Sequence, residues 1–180
     1  MKKMRIFKIT FCAIMAAMAT IFNFIEITLP FGFNLTLYGL PLVFVSFTYG
    51  PALGLLTGFV CGAIEQIVKG ISLQTFLWII APLAWGLLSG LVYHGLKKLF
   101  NDNKVYKKII YYTLGILVSI TVANLANSAA LAVFGYTSDP VSSFGLFMAY
   151  AFARMISIPF HVVLYVPLCY ILCERMKKIG

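Results

Sequence analysis

The chain has 180 residues, of which 62% are hydrophobic and only 11% are charged. Soluble domains carry about a quarter charged residues, so this composition excludes a soluble protein and indicates an integral membrane protein. The net charge of +9 does not indicate nucleic-acid binding, because the basic residues cluster between apolar runs, as in cytoplasmic loops. The four cysteines lie inside apolar runs without a Cys-x-x-Cys pair, and they predict neither a disulfide nor a metal site.

The first half of the chain contains three apolar runs. Ile9–Ile25 is just long enough to span a bilayer, and Ala13 and Ala17 place small residues at i and i+4, which lets another helix approach closely. We expect the connection Glu26–Asn34 to be a loop packed on the protein. Two shorter runs follow and meet at the turn Gly50-Pro51. The second run is Leu35–Tyr49, the third is Ala52–Val68, and the third carries a ridge of small residues at Gly54, Gly58 and Gly62.

The second half contains three further runs, and each carries polar or aromatic side chains. Gln74 and Trp78 lie in the fourth run. Asn124 and Asn127 lie at i and i+3 in the fifth, so they share one helix face. Arg154 lies in the sixth, with no acidic residue within a helical turn. The three runs are Leu73–Leu96, Ile109–Phe134 and Phe144–Cys173.

The basic residues orient these runs in the membrane. Twelve of the 14 lysines and arginines lie in the N-terminal segment, the Lys97–Lys108 connection and the C-terminal tail. An even number of spans places all three segments on one side, which the positive-inside rule makes the cytoplasm. The opposite connections hold one lysine, Lys69. We therefore predict an all-α integral membrane protein with six transmembrane helices and cytoplasmic N- and C-termini, formed by a single membrane domain of residues 1–180.

Arg154 points most directly to a ligand. A guanidinium stays protonated, and near the bilayer centre it costs about 2.5–3.5 kcal/mol on insertion scales, so it should face a cavity or a partner. The predicted topology places it about 15 Å below the outer end of the sixth helix, at 1.5 Å per residue. We expect it to hold an anionic group of a ligand. Pairing with Glu65 or Glu26 is the alternative.

Other candidate site residues are expected at similar depth in the outer half of the membrane. Trp78 offers a surface on which a ligand can stack, and amide and hydroxyl groups can serve its polar atoms. His161 follows Arg154 by seven residues, but a lone histidine is more often a structural residue. The substrate-binding candidates are Arg154, Asn127, Asn124, Trp78, Gln74, Glu65 and Tyr38.

Two motifs carry a family resemblance. They are Ala13-Ile-Met-Ala-Ala17 and the passage from Leu35-Thr-Leu-Tyr-Gly-Leu-Pro41 to Tyr49-Gly-Pro51-Ala-Leu-Gly54-Leu-Leu-Thr-Gly58. With the length and the six spans, the whole chain resembles the substrate-binding S components of energy-coupling factor (ECF) vitamin transporters. The resemblance implies capture of a vitamin outside a bacterial or archaeal cell membrane, docking of the Ala13 and Ala17 face on a transmembrane T component, and ATP hydrolysis by two cytoplasmic ATPases. The chain has no Walker A sequence of its own.

The residues indicate the charge of the ligand better than its identity. Arg154 and the few aromatic platforms beyond Trp78 favour a compact anionic vitamin, with pantothenate as the preferred substrate. Folate, riboflavin, a pyridoxine-like compound and queuosine precursors stay open. The sequence shows no paired carboxylates on one helix, no His-Glu-x-x-His and no nucleophile beside a base, so we predict no enzyme activity and no cofactor. The alternative is a structural membrane protein of cell-shape or assembly machinery without a small-molecule ligand.

Overall fold

The computed structural model describes residues 2–29, 33–71, 73–100, 104–134 and 140–179. These residues form eight α-helices and one pair of antiparallel strands. In chain order the elements are α1 (Lys2–Asn23), β1 (Glu26–Leu29), β2 (Phe33–Thr36), α2 (Gly39–Tyr49), α3 (Pro51–Lys69), α4 (Leu73–Trp78), α5 (Ile80–Phe100), α6 (Val105–Phe134), α7 (Pro140–Met155) and α8 (Ile158–Ile179).

Several helices are long and apolar enough to cross a membrane. α2 is apolar as well, but it has only 11 residues. The structure therefore confirms a helical, multi-pass architecture, whereas the sixth span and the cytoplasmic position of both termini stay predictions. Within the described ranges, the five candidate spans are Ile6–Asn23, Pro51–Lys69, Phe76–Phe100, Val105–Ala132 and Ile158–Met176.

The connection predicted as a loop contributes a short sheet. β1 pairs with β2 so that Glu26 lies opposite Thr36 and Leu29 lies opposite Phe33. Pairing gives the backbone N–H and C=O groups of this connection partners within the protein. The prediction of helices alone omitted this pair of strands.

The predicted sixth run, Phe144–Cys173, forms two helices instead of one. α7 ends at Met155, two turn residues follow, and α8 begins at Ile158. Pro159 is the second residue of α8, a position that tolerates proline, whereas a continuous helix would place its ring against the preceding turn. Arg154 consequently lies in the last turn of α7. The prediction of one continuous sixth helix is therefore wrong, and the depth of Arg154 in the membrane stays a prediction.

Glycines bring α3 and α5 into backbone contact. A Cβ atom on Gly54 would collide with the carbonyl oxygen of Gly86, and one on Gly58 would collide with that of Pro82. Ser46 of α2 donates a hydrogen bond of 2.5 Å from its Oγ to the Gly86 carbonyl oxygen, so three helices meet there. The close packing predicted from the glycine spacing is confirmed.

α2 lies at the centre of the packed helices. Its residues 41–47 are all buried, and it contacts α1, α3, α5 and α8. Phe47 continues this core towards α6, with its ring 4.8 Å from that of Tyr112, which stacks in turn on Tyr93 at 4.8 Å. Large apolar side chains are exposed on the outside of the helices, which suits a surface that faces lipid.

Candidate ligand-binding site

A cavity of about 500 Å³ lies among α3 to α8. Sites for small molecules usually enclose about 300–1,000 Å³, so this cavity can hold a vitamin-sized ligand. The structure brings six of the seven predicted binding residues to its wall. The seventh, Gln74, lies outside the residues whose side chains are described. The six are Tyr38, Glu65, Trp78, Asn124, Asn127 and Arg154.

An acidic group and a basic group of α3 form one part of the wall. Lys69 Nζ lies 2.6 Å from Glu65 Oε1, one helical turn away. The Glu65 residue is 7% exposed, whereas the Lys69 side chain is 35% exposed. The same ammonium lies 5.1 Å from the centroid of the Trp78 ring, within the range of a cation–π interaction. Glu65 therefore has Lys69 as an ion-pair partner, and its pairing with Arg154, the alternative given above, stays untested.

Aromatic rings form a second part of the wall, and they are more numerous than predicted. Trp85 is 3% exposed, and its ring centroid lies 6.5 Å from that of Tyr38 and 6.4 Å from that of His161. All three residues line the cavity. The prediction of few platforms beyond Trp78 is wrong, because α5 turns Trp85 inward.

Two of these rings carry hydrogen-bonding groups. His161 donates from Nδ1 to the carbonyl oxygen of Ser157 at 2.8 Å, which fixes the orientation of the imidazole. Tyr38 carries a phenolic O–H, which can donate a hydrogen bond to a ligand.

The break between α7 and α8 forms the third part of the wall. Three donors converge on the carbonyl oxygen of Arg154: Asn124 Nδ2 at 3.2 Å, Ser157 Oγ at 2.7 Å and the Ser157 backbone N–H at 3.1 Å. Asn124 thus ties α6 to the end of α7. Asn124 is one of the two amides that the sequence placed on a common face of α6, and this hydrogen bond gives it a partner. The other amide, Asn127, lines the cavity.

Some lining residues were absent from the predicted site. Trp85 and Lys69 were not proposed, and His161 was assigned a structural role. The signal for Lys69 was present in the sequence, because a glutamate followed four residues later by a lysine is the favourable order for an ion pair on a helix. Asn23, at the end of α1, gave no such signal, although it also lines the cavity.

The two predicted docking residues lie away from the cavity. Ala13 and Ala17 are exposed on α1, whereas Ala16 and Ala19 on the opposite face are 1% and 0% exposed. The face of α1 with the small-residue spacing is therefore available to another helix. Its role in docking stays a prediction.

The helices and the cavity define a multi-pass membrane protein with an internal site for a small molecule. The chain belongs to the family described as "Thiamine transporter protein (Thia_YuaJ)", whose model matches residues 9–179. Its fold is similar to that of ThiT from Listeria monocytogenes, with a TM-score of 0.67 and 16% sequence identity over 94% of this chain and 98% of that one. No curated protein sequence matches the chain.

This family membership confirms the resemblance to ECF S components and the location in the cell membrane. The family consists of transporters, so the enzyme class and the structural alternative are not favoured. S components of this kind imply a vitamin substrate, a T component and ATPase partners. The narrower prediction of a pantothenate-type protein is not supported, because the matching family is described by thiamine.

Proposed function

We propose that the chain captures thiamine, or a close relative of thiamine, for an ECF importer. The ligand would bind in the cavity from outside the cell and would be passed on with energy from two ATPase subunits. The chain is a member of this family, and the chemical groups that line its cavity are the observation that carries the proposal. Among the described lining residues, the one carboxylate, Glu65, shares the Lys69 ammonium with the indole of Trp78, at 2.6 Å from the carboxylate oxygen and 5.1 Å from the ring centroid.

This pair of groups suits a positively charged ring. Thiamine joins a cationic thiazolium to a neutral aminopyrimidine. A carboxylate attracts the cation directly, and the face of an indole adds a cation–π contribution that grows when water is excluded. Lys69 supports this interpretation, since its ammonium already interacts with both groups. The thiazolium is therefore assigned to the wall formed by α3 and α4.

The aminopyrimidine is assigned to the aromatic and amide side of the cavity. Trp85 and Tyr38 offer ring faces and edges at which a flat heterocycle can pack. Asn127 and the Tyr38 phenol can complete the hydrogen bonds of its ring nitrogens and amino group. A buried ring with this many polar atoms requires such partners.

Arg154 can also contribute to binding, although thiamine itself has no negatively charged group. The guanidinium can donate to the hydroxyl of the thiamine side chain, or to the phosphate of a thiamine ester. If Arg154 recognises an anionic group, as the sequence predicts, the site should prefer phosphorylated thiamine. Glu65 would bind the ring of the same ligand.

Binding to the purified chain tests the proposal. We expect isothermal titration calorimetry in detergent or nanodiscs to give saturable, one-site binding of thiamine, with quenching of tryptophan fluorescence because two indoles line the cavity. Pantothenate serves as the control and should not bind. Saturable pantothenate binding without thiamine binding would reverse the assignment.

A further inference from the structure

We propose that Lys69 is a tethered competitor of the ligand's cation. Its ammonium contacts both the Glu65 carboxylate and the Trp78 ring, the two groups that a bound cationic ring would contact. The ligand would displace it on entry, and the lysine would return as the ligand leaves. This inference rests on the proposed function in one respect, namely that the ligand is a cation.

The distances carry the inference. Lys69 Nζ lies 2.6 Å from Glu65 Oε1 and 5.1 Å from the centroid of the Trp78 ring. A ligand cation in this cavity would seek the same two contacts, an ion pair and the face of an indole. All three side chains line the cavity. Both cations cannot hold this position together, because like charges at such a separation repel.

The burial of Glu65 explains why the unliganded site needs a cation of its own, the Lys69 ammonium. The Glu65 side chain is 9% exposed, and a buried carboxylate without a counter-ion is strongly destabilising. Lys69 supplies that counter-ion whenever the ligand does not. Exchange of one cation for another keeps the charge of the site balanced throughout binding and release.

The position of Lys69 allows it to move aside. It is the last residue of α3, and its side chain is 35% exposed, so a flexible four-carbon stem can turn the ammonium towards water. Glu65 lies a turn further into α3, where it stays buried. The lysine is therefore the mobile member of the pair, and the carboxylate is the fixed one.

Competition from Lys69 makes the site bind its ligand less tightly, and release it faster, than a site without the lysine charge. A transporter must give up its ligand, and a competitor on a tether favours that step because it stabilises Glu65 as the ligand departs. Removal of the lysine charge should therefore strengthen binding, mainly by slowing dissociation. A lysine that contacted the ligand favourably would have the opposite effect.

The experiment compares Lys69→Met with the wild-type chain. Methionine keeps an unbranched apolar stem and removes the charge. We expect thiamine to bind about two- to fivefold more tightly, the range for loss of a partly exposed ion pair, with slower dissociation in stopped-flow fluorescence. A neutral analogue with thiophene in place of thiazolium should show no gain. In a Glu65→Gln background the gain should disappear, since the two residues act as one pair.

A matched control removes the charge of another paired lysine. Lys108 pairs with Glu174 at 3.3 Å, between α6 and α8, and neither residue lines the cavity. Lys108→Met should leave thiamine affinity unchanged. Lys69→Gln provides a second neutral variant should Lys69→Met fold poorly, and melting temperatures report on folding.

A second pair of probe molecules tests the role of Lys69 without assuming that the vitamin is thiamine. N-Methylpyridinium is a small aromatic cation, and pyridine at neutral pH is its uncharged counterpart. Lys69→Met should increase quenching of tryptophan fluorescence by the cation and not by pyridine, even if the wild-type chain fails to bind thiamine and the proposed function is lost. Weaker binding of thiamine, or no selective gain for either cation, would overturn the role of Lys69.

Discussion

Replacement of Glu65 by glutamine tests the core of the proposed site. The substitution keeps the size and one carbonyl oxygen of the side chain and removes its charge. Glu65 is 7% exposed, so the carboxylate meets a bound cation in a poorly hydrated environment. Two unit charges 4 Å apart interact with about 4 kcal/mol at an effective dielectric constant of 20.

The expected loss is smaller than this Coulomb energy. Truncation of one partner in a buried charge pair costs about 2–5 kcal/mol. In the wild-type chain, however, the ligand must also displace Lys69, which offsets about 0.2–1 kcal/mol because the lysine is partly exposed. A net loss of about 1–5 kcal/mol remains, or roughly 5- to 5,000-fold in the dissociation constant.

Isothermal titration calorimetry with thiamine and its neutral thiophene analogue measures this effect. Glu65→Gln should lower the affinity for thiamine and leave that for the analogue nearly unchanged, because the analogue carries no charge for Glu65 to stabilise. An equal loss for both ligands would point to a distorted cavity. Unchanged thiamine affinity would refute the assignment of the thiazolium to Glu65.

Three further predictions concern other parts of the chain. Leucines at Ala13 and Ala17 should abolish uptake in cells that contain the T component and ATPases but preserve thiamine binding by the purified chain; loss of both would indicate misfolding. Gly54→Ala should destabilise the protein by about 1–3 kcal/mol through overpacking, measured by thermal unfolding, whereas Gly95→Ala should not, since a Cβ there has no neighbour within 4 Å. Arg154→Gln should weaken binding of thiamine phosphate more than that of thiamine, and equal titration curves for both ligands would argue against a phosphate contact.

Much of the cavity wall could be predicted from the sequence because apolar runs make polar residues conspicuous. An amide or a guanidinium in lipid-compatible sequence must face the protein interior. Asn124, Asn127 and Arg154 therefore had to converge on some internal surface, and the structure places all three at one cavity. The small-residue ridge of α3 was predictable for a related reason, since repeated glycines on one face permit close helix contact.

Features that depend on contacts between distant segments could not be predicted in this way. Hydropathy treats Phe144–Cys173 as one run, whereas α7 ends before Pro159, a break that the proline indicates and that hydropathy ignores. Trp85 was not among the predicted site residues, because only the packing of α5 against its neighbours shows that it lines the cavity. The negative charge expected of the ligand followed from Arg154 alone, whereas Glu65 and Lys69 at the end of α3 also line the cavity and meet Trp78 only in the folded chain.

The contact between α3 and α5 has a consequence for how this cavity can change in evolution. The backbones meet at Gly54 and Gly86, so the two helices can neither approach further nor accept a larger residue there without strain. The positions of Glu65 on α3 and Trp85 on α5 are therefore fixed relative to each other. A descendant that takes up a larger or smaller molecule would acquire its new volume through substitutions of lining residues in α4, α6, α7 and α8, while the contact between α3 and α5 is inherited unchanged.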